Sequence, residues 1–471
     1  MKMSCLSIFI LSLLVLHSLN AQEMDTLWTK TYGSGSGNCI IESADHGYIV
    51  VGEKNDDVFI LKTNSEGDSL WLKTYGDTSK SDYANSVALT SDSGFIIVGT
   101  TESYGAGGSD IWLLKTDANG DTTWTKTYGG DSSDVGNGLQ ITNDGGYIIV
   151  GTTESYGAGG EDAWMLKTDS NGDTSWAKTF GGNGNDNGNC ILPTNDGGYI
   201  IGGSTESYGG GWLIKTDSNG DTSWTKTYEI QDNEEEWLKN GIKTNDGYVF
   251  TGGIPRGQFS DGLIIKTDLL GDTLWTKIVP FGRGGRIECV TSTHDGLYLF
   301  SVTYTFPEMI GTDWCKECVI FTLDVNGNEI WSISVGNGHW SDDLALFSVI
   351  QTNDSSYVAC GEGIRIAKLG YSVTSLELTI GNILNSFSLS QNYPNPFNPS
   401  TMINYQLPIT NYVDLSVYNL LGQKVATLVN KRQQAGHYQI EWDATGFAGG
   451  VYYCRIKAGN FVQTRKMIYL K

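Results

Sequence analysis

The stretch "NGLQITNDGGYIIVGTTESYGAGGEDAWMLKTDSNGDTSWAKTF", residues Asn137–Phe180, holds one full unit of a repeat. It divides into four apolar-rich segments: "NGLQIT", "YIIVGT", "DAWMLKTD" and "DTSWAKTF", here called strands a to d. The a and b segments are separated by "NDGG" and the c and d segments by Asn-Gly, a two-residue pair that favours a tight hairpin. Between b and c lies the octet "TESYGAGG", Thr153–Gly160, which recurs unchanged at Thr101–Gly108 and shortened at Thr205. The runs "YIIVG" and "WMLK" are nearly all apolar, the pattern of strands covered on both faces.

Working outward, the d segment returns as "WTKTYG" at Trp28, "WLKTYG" at Trp71, "WTKTYGG" at Trp124 and "WAKTFGG" at Trp176, then in weaker form at Trp224, Trp275 and Trp331. Spacings of 43 to 56 residues fall in the range of propeller blades. Seven b strands begin near Tyr48, Phe95, Tyr147, Tyr199, Tyr248, Tyr298 and Tyr357, whereas only six d strands follow a c strand. The unpartnered "TLWTKTYG" before the first unit supplies the seventh and removes an open sheet edge. The expected fold is all-β: a seven-bladed β-propeller over residues 23–370, its N-terminal strand closing the last blade.

Composition agrees with short strands and tight turns: 61 Gly, 24 Tyr and 14 Trp in 471 residues. The net charge of −23 argues against nucleic acid, which demands basic patches. Residues 1–21 read as a secretory signal peptide: Lys2, an apolar run over Leu6–Leu16 too short to span a bilayer, and Ala21 at the cleavage point. No transmembrane segment is expected in the mature chain. Cys39, Cys190 and Cys289 fall at one place in three repeats and read as small buried residues. Cys315 and Cys318, a lone CxxC, are the disulfide candidate in an exported protein.

The motif set "WTKTYGG…DGGYIIVG…NGD" resembles that of secreted bacterial β-propeller repeat proteins, a resemblance that implies fold and export but no reaction. After Gly370 the repeat stops. Residues 371–385 read as a linker, and 386–471 as a small immunoglobulin-like β-sandwich. The lead-in Tyr393–Pro399, the turn Leu420–Gln423, Trp442–Asp443, Gly450–Tyr453 and the closing Lys466, Met467, Ile468, Tyr469, Leu470 and Lys471 resemble the type A C-terminal sorting domain of the type IX secretion system. That resemblance implies the secretion machinery as partner and the outer cell surface or the exterior as destination.

In a four-stranded meander the b–c and d–a connections share one end. Glu102, Tyr104, Glu154, Tyr156, Glu206 and Tyr208 are therefore expected together, joined by Asp82, Asp134 and Asp186 from the d–a loops. The residues opening strand c, among them Asp57, Asp110, Asp162, Asp261 and Glu317, are expected to cap turns or pair with the strand-c lysines of a neighbouring blade. Carboxylates offer calcium hard oxygen ligands and tyrosines stack on sugars, so the candidate ligands of this face are a glycan, a protein or calcium, the one cofactor considered. "DANGD" and "DSNGD" imitate a calcium loop, but the hairpin explains them.

No HExxH, P-loop or GxGxxG occurs, and His46, His294, His339 and His437 stand singly. Asp217, Gly220 and Trp224 echo a docking motif of quinoprotein propellers, where it is structural. The expected function is a non-catalytic binding or structural module; the alternative is a secreted propeller enzyme, a glycan hydrolase or lyase or a quinoprotein-like oxidoreductase.

Overall fold

The computed structural model describes residues 24–77, 79–230, 236–256, 259–281, 285–307, 314–335, 345–371, 388–407, 411–433, 436–459 and 461–471. The segment expected to be a signal peptide, and nearly all of the expected linker, lie outside them. The chain forms two compact units, Met1–Ser372 and Val373–Lys471.

Among the described residues, strands of the first unit pair into seven antiparallel four-stranded sheets, none of which closes on itself. Six are meanders of consecutive strands. The third, for example, runs Asp134–Ile141, Tyr147–Thr153, Asp162–Thr168, Thr174–Phe180. The seventh combines Leu346–Gln351, Tyr357–Gly361 and Arg365–Tyr371 with Met24–Thr31 from the other end of the unit, in a register from Asp25 opposite Gly370 to Thr31 opposite Arg365. The N-terminal strand thus occupies the outer place that strand counting left vacant.

Burial follows the sequence pattern. Strands b and c of the third sheet are buried along their whole length, while strand d alternates between exposed and half-buried positions. Successive sheets share apolar cores. Ile96, Val98 and Leu113 of the second pack on Tyr147, Ile149 and Trp164 of the third. The seventh meets the first in the same way, Val358, Cys360 and Ile366 against Tyr48, Val50 and Phe59. Each large apolar side chain so buried contributes roughly 1.5–3 kcal/mol.

The recurrent "WTKTY" has a geometric role: it grips the c–d turn of the next sheet. A Cβ on Gly120 would come within 2.8 Å of Trp71, and the same holds for Gly172 on Trp124 and Gly220 on Trp176 at 2.8 and 2.7 Å. These glycines also carry φ near +80°, a conformation that disfavours side chains. The lysine two residues after the tryptophan reaches the aspartate after that glycine: Lys73 to Asp121 at 2.6 Å, Lys126 to Asp173 at 2.9 Å, Lys178 to Asp221 at 2.8 Å. Tyr75 and Tyr128 donate to the carbonyls of Gly120 and Gly172 at 2.5 and 2.6 Å. The aspartates of "DANGD" and "DSNGD" are therefore engaged within the turn and in ion pairs. Trp224 likewise covers Gly271, one repeat later, rather than Gly220. Trp28, Lys30 and Tyr32 apply the same grip to Gly67 and Asp68 of the first sheet.

The second unit holds a three-stranded sheet (Ser388–Leu389, Ser400–Leu407, Gly436–Asp443) and a four-stranded one in the order Lys424–Gln433, Asn411–Asn419, Gly450–Ala458, Phe461–Tyr469. Both contribute to a single core containing Ile403, Leu415, Ile456 and Met467. Trp442 sits in this core, 5.4 Å from the Phe397 ring and 5.3 Å from that of Tyr452. Phe397 belongs to the proline-rich lead-in, which bonds to the last strand: Phe397 N–H donates to Ile468 O and Leu470 N–H to Phe397 O.

One expectation is corrected. Cys315 and Cys318 lie in a single strand, Trp314–Leu323, paired without a break to Tyr298–Pro307. Three residues of extended chain separate their Cα atoms by about 10 Å, against the roughly 7 Å limit for a disulfide. The side chain of Cys315 lies outside the described residues. Cys190 and Cys289 are buried as expected and Cys39 is half-buried.

Candidate functional site

The octets follow strand b in the second, third and fourth sheets. Their serine, which sequence reading passed over, anchors each loop: Ser103, Ser155 and Ser207 donate to Asp82, Asp134 and Asp186, which open strand a of the same sheets. Neighbouring octets are joined through the d–a loops. Ser132 O accepts from Gly108 N–H of one octet, and Ser132 N–H donates to Ser155 of the next. Asn185 repeats the link, accepting from Glu161 N–H and donating its own N–H to Glu206. The three loops therefore form one bonded run along one end of the sheets.

Tyr104, Tyr156 and Tyr208 stand 46, 48 and 60 % exposed on this run. Each ring rests against a buried strand-c tryptophan, Trp112, Trp164 or Trp212, with centroids 5.4, 5.3 and 5.7 Å apart. Tyr156 and Tyr208 also donate to Gly129 O and Gly181 O. The rings are held on one side and open on the other. Glu102 and Glu154 are exposed, while Glu206 is tied to Asn185. The three copies are alike in their aromatic groups and unlike in their carboxylates.

Below the loops, the aspartate opening strand c of one sheet meets the aspartate opening strand a of the next. A Cβ on Gly129 would lie 1.9 Å from Asp110 Oδ1 and 2.7 Å from Asp134 Oδ2; on Gly181, 1.9 Å from Asp162 Oδ1 and 2.7 Å from Asp186 Oδ2. Asp57 and Asp82 flank Gly76 in the same manner. All six aspartates are buried. Burial first, and then the facing carboxylate, raises the carboxyls of Asp57, Asp110 and Asp162 above the usual range. Asp110 and Asp162 each accept one backbone N–H, from Ala106 and Ala158.

Of the two roles expected for these aspartates, Asp110 and Asp162 take the first, capping turns, while the expectation that they pair with the strand-c lysines of a neighbouring sheet is corrected. Those lysines sit at the opposite end of their six- or seven-residue strands. They pair instead with the a–b turn of their own sheet: Lys115 with Asp92 at 2.8 Å, Lys167 with Asp144 at 2.9 Å, Lys215 with Asp196 at 2.8 Å. Asp261 is held differently, by Arg256 at 2.8 Å. The side chain of Glu317 lies outside the described residues. Among the described residues, no group of three or more His, Cys, Asp or Glu side chains gathers to hold a metal ion.

A second candidate was not singled out from the sequence. The innermost strands of all seven sheets surround a cavity of about 380 Å³. Every one of these strands carries a β-bulge, a device that re-aims one side chain. In four sheets the bulged residue is asparagine, and its amide clasps the next sheet: Asn38 donates to Ala84 O, Asn85 to Gly136 O, Asn137 to Gly188 O, Asn189 to Leu238 O, at 2.8–2.9 Å. In the remaining three the bulge holds Lys239, Glu288 and Phe347. Glu288 is buried and pairs with both Lys239 and Arg286. The signal was present, as asparagine at one place in four repeats, but asparagine beside glycine, as at Asn38, Asn137 and Asn189, reads as turn chemistry.

Comparison with known proteins adds family and fold. Residues 391–470 match the secretion system C-terminal sorting domain. The comparison with curated proteins finds no match. Among solved structures, the WD40 domain of Neurospora crassa Pan2 is similar with a TM-score of 0.50 and 11 % identity, over 76 % of this chain and 98 % of that one. The WD40 β-propeller domain of Doa1 aligns with a TM-score of 0.47 and 10 % identity, over 74 % and 98 %. At such identity the likeness to Pan2 speaks for fold alone. The chain thus joins a β-propeller module to a C-terminal domain of the secretion-system sorting family.

Proposed function

We propose that this is an exported, non-catalytic propeller of seven blades that binds a ligand at its octet face. In this reading the C-terminal unit is an immunoglobulin-like sandwich that delivers the propeller to the cell surface or exterior through the type IX machinery. The domain match over residues 391–470 supports the route, and the signal peptide expected at residues 1–21 supplies its first step. Seven four-stranded sheets with a shared core between the last and the first support the blade count.

The observation that carries the binding role is the row of tyrosines, each backed by a buried tryptophan with its outer side in solvent. Rings held this way lose little freedom when a sugar stacks on them. Glu102 and Glu154 beside them supply acceptors for hydroxyls or ligands for calcium. The enzyme alternative is less favoured. The cavity contains one carboxylate among the described residues, Glu288, already paired to two cations, whereas glycosidase chemistry requires two.

The test is a glycan array probed with the full chain, with and without calcium. Replacing Tyr104, Tyr156 and Tyr208 with Ala should abolish glycan signals. Replacing Glu102 and Glu154 with Gln should remove any calcium dependence. A wild-type chain that binds no arrayed glycan with or without calcium refutes the binding role. For the route, deleting Ser386–Lys471 should strand a folded propeller in the periplasm, and its appearance in the medium at normal levels refutes it.

A further inference from the structure

We propose a second ligand site, in the cavity bounded by the seven innermost strands, for a small hydroxyl-rich acid of the uronic acid type. The argument begins with what the bulges leave unsatisfied. Each of Asn38, Asn85, Asn137 and Asn189 spends one amide hydrogen on the neighbouring strand. A side-chain amide has two donors and a carbonyl acceptor, so each asparagine keeps one N–H and its Oδ1. Among the described residues no donor is directed at these four oxygens. The clasp fixes each amide plane, so the remaining donor and acceptor are presented in a set orientation along an arc of four consecutive sheets. Paired donor and acceptor at fixed spacing match the vicinal hydroxyls of a sugar.

The other side of the cavity differs in charge. Lys239 and Arg286 share the single carboxylate of Glu288, which leaves one net positive charge there in a chain of −23. Lysine has three donors and arginine five, and each commits one nitrogen to Glu288. The rest are available to a ligand carboxylate. Phe347 provides an apolar surface for the C–H face of a ring. The small residues that follow the bulges, Ser86 and Gly138 among them, keep the space open, and about 380 Å³ falls within the range of small-molecule sites. Hydroxyl recognition on one side and carboxylate recognition on the other define an acidic monosaccharide.

The site does not depend on the octet face, which lies on loops at one end of the sheets. The experiment is calorimetric titration of the full chain with glucuronate, galacturonate and glucose. A uronate should bind, with glucose weaker by about tenfold or more, since hydrogen bonds to a charged partner carry that difference. Arg286→Gln, an exposed side chain whose loss leaves Glu288 paired with Lys239, should weaken uronate by a similar factor and leave glucose unchanged. Ser86→Tyr, which fills the cavity, should abolish both while the octet tyrosines keep any glycan-array signal. Failure of both uronates to bind the wild type overturns the proposal. So does binding that survives Arg286→Gln and Ser86→Tyr in variants whose melting curves match the wild type.

Discussion

Removing the grip of the N-terminal strand on the first sheet tests how the seventh sheet is held against the first. In the double variant Trp28→Ala, Tyr32→Phe, two contacts disappear. Trp28 is half-buried, its ring 6.2 Å from that of Tyr48 and covered by Gly67. Truncation of a fully buried tryptophan costs about 3–5 kcal/mol, so half burial puts this one near 2 kcal/mol. The Tyr32 hydroxyl donates to Gly67 O, and its loss costs about 1 kcal/mol. The sum of about 3 kcal/mol corresponds to a fall of roughly 6 °C in melting temperature, at about 2 °C per kcal/mol for a large domain. Trp124→Ala with Tyr128→Phe removes the same grip between the second and third sheets and should cost a similar amount. Deleting Met24–Gly33 should do far worse, because it strips the outer strand from Arg365–Tyr371 and leaves an unpaired edge. Scanning calorimetry of the full chain provides the readout. A double variant melting within 1 °C of wild type, or a deletion that unfolds like wild type, would falsify the account of closure.

Two predictions concern pH. Asp110 and Asp162 have carboxyls raised in the folded state, so the fold holds their protons more tightly than the unfolded chain and gains stability as pH falls into that range. Asp110→Asn, which keeps an acceptor for Ala106 N–H and offers a donor to Asp134, should raise the melting temperature at pH 7, with the gain shrinking towards pH 4. An equal loss at both pH values would count against facing carboxylates. Asp92 and Asp144 behave oppositely. Lys115 and the Thr142 hydroxyl head the causes that hold them down to about 2, so their contribution is present above pH 4 and is lost as pH falls towards 2. Lys115→Met should flatten part of that acid limb in a pH series of melting temperatures, and an unaltered limb would show that the pair adds nothing.

The repeat unit, the strand order within it and the role of the N-terminal strand were legible in the sequence because they rest on local signals. Apolar runs of strand length, Asn-Gly turns and a recurring tryptophan each depend on residues a few positions apart. The C-terminal unit was legible for another reason, since Pro394–Pro399 and Trp442 resemble the pattern of a sorting domain, and residues 391–470 match that domain. Tertiary structure alone decided which side chains meet across sheets. Lys126 faces Asp173 and not an aspartate in its own hairpin, because strand d leans on the turn of the next sheet. Asp110 meets Asp134 and not Lys115, because a strand of seven residues puts its two ends far apart. The asparagine arc depends on four bulges, each a single-residue slip in pairing that composition does not announce. Local spacing sets which face of a strand a residue occupies; only the packing of one sheet on the next sets its partner.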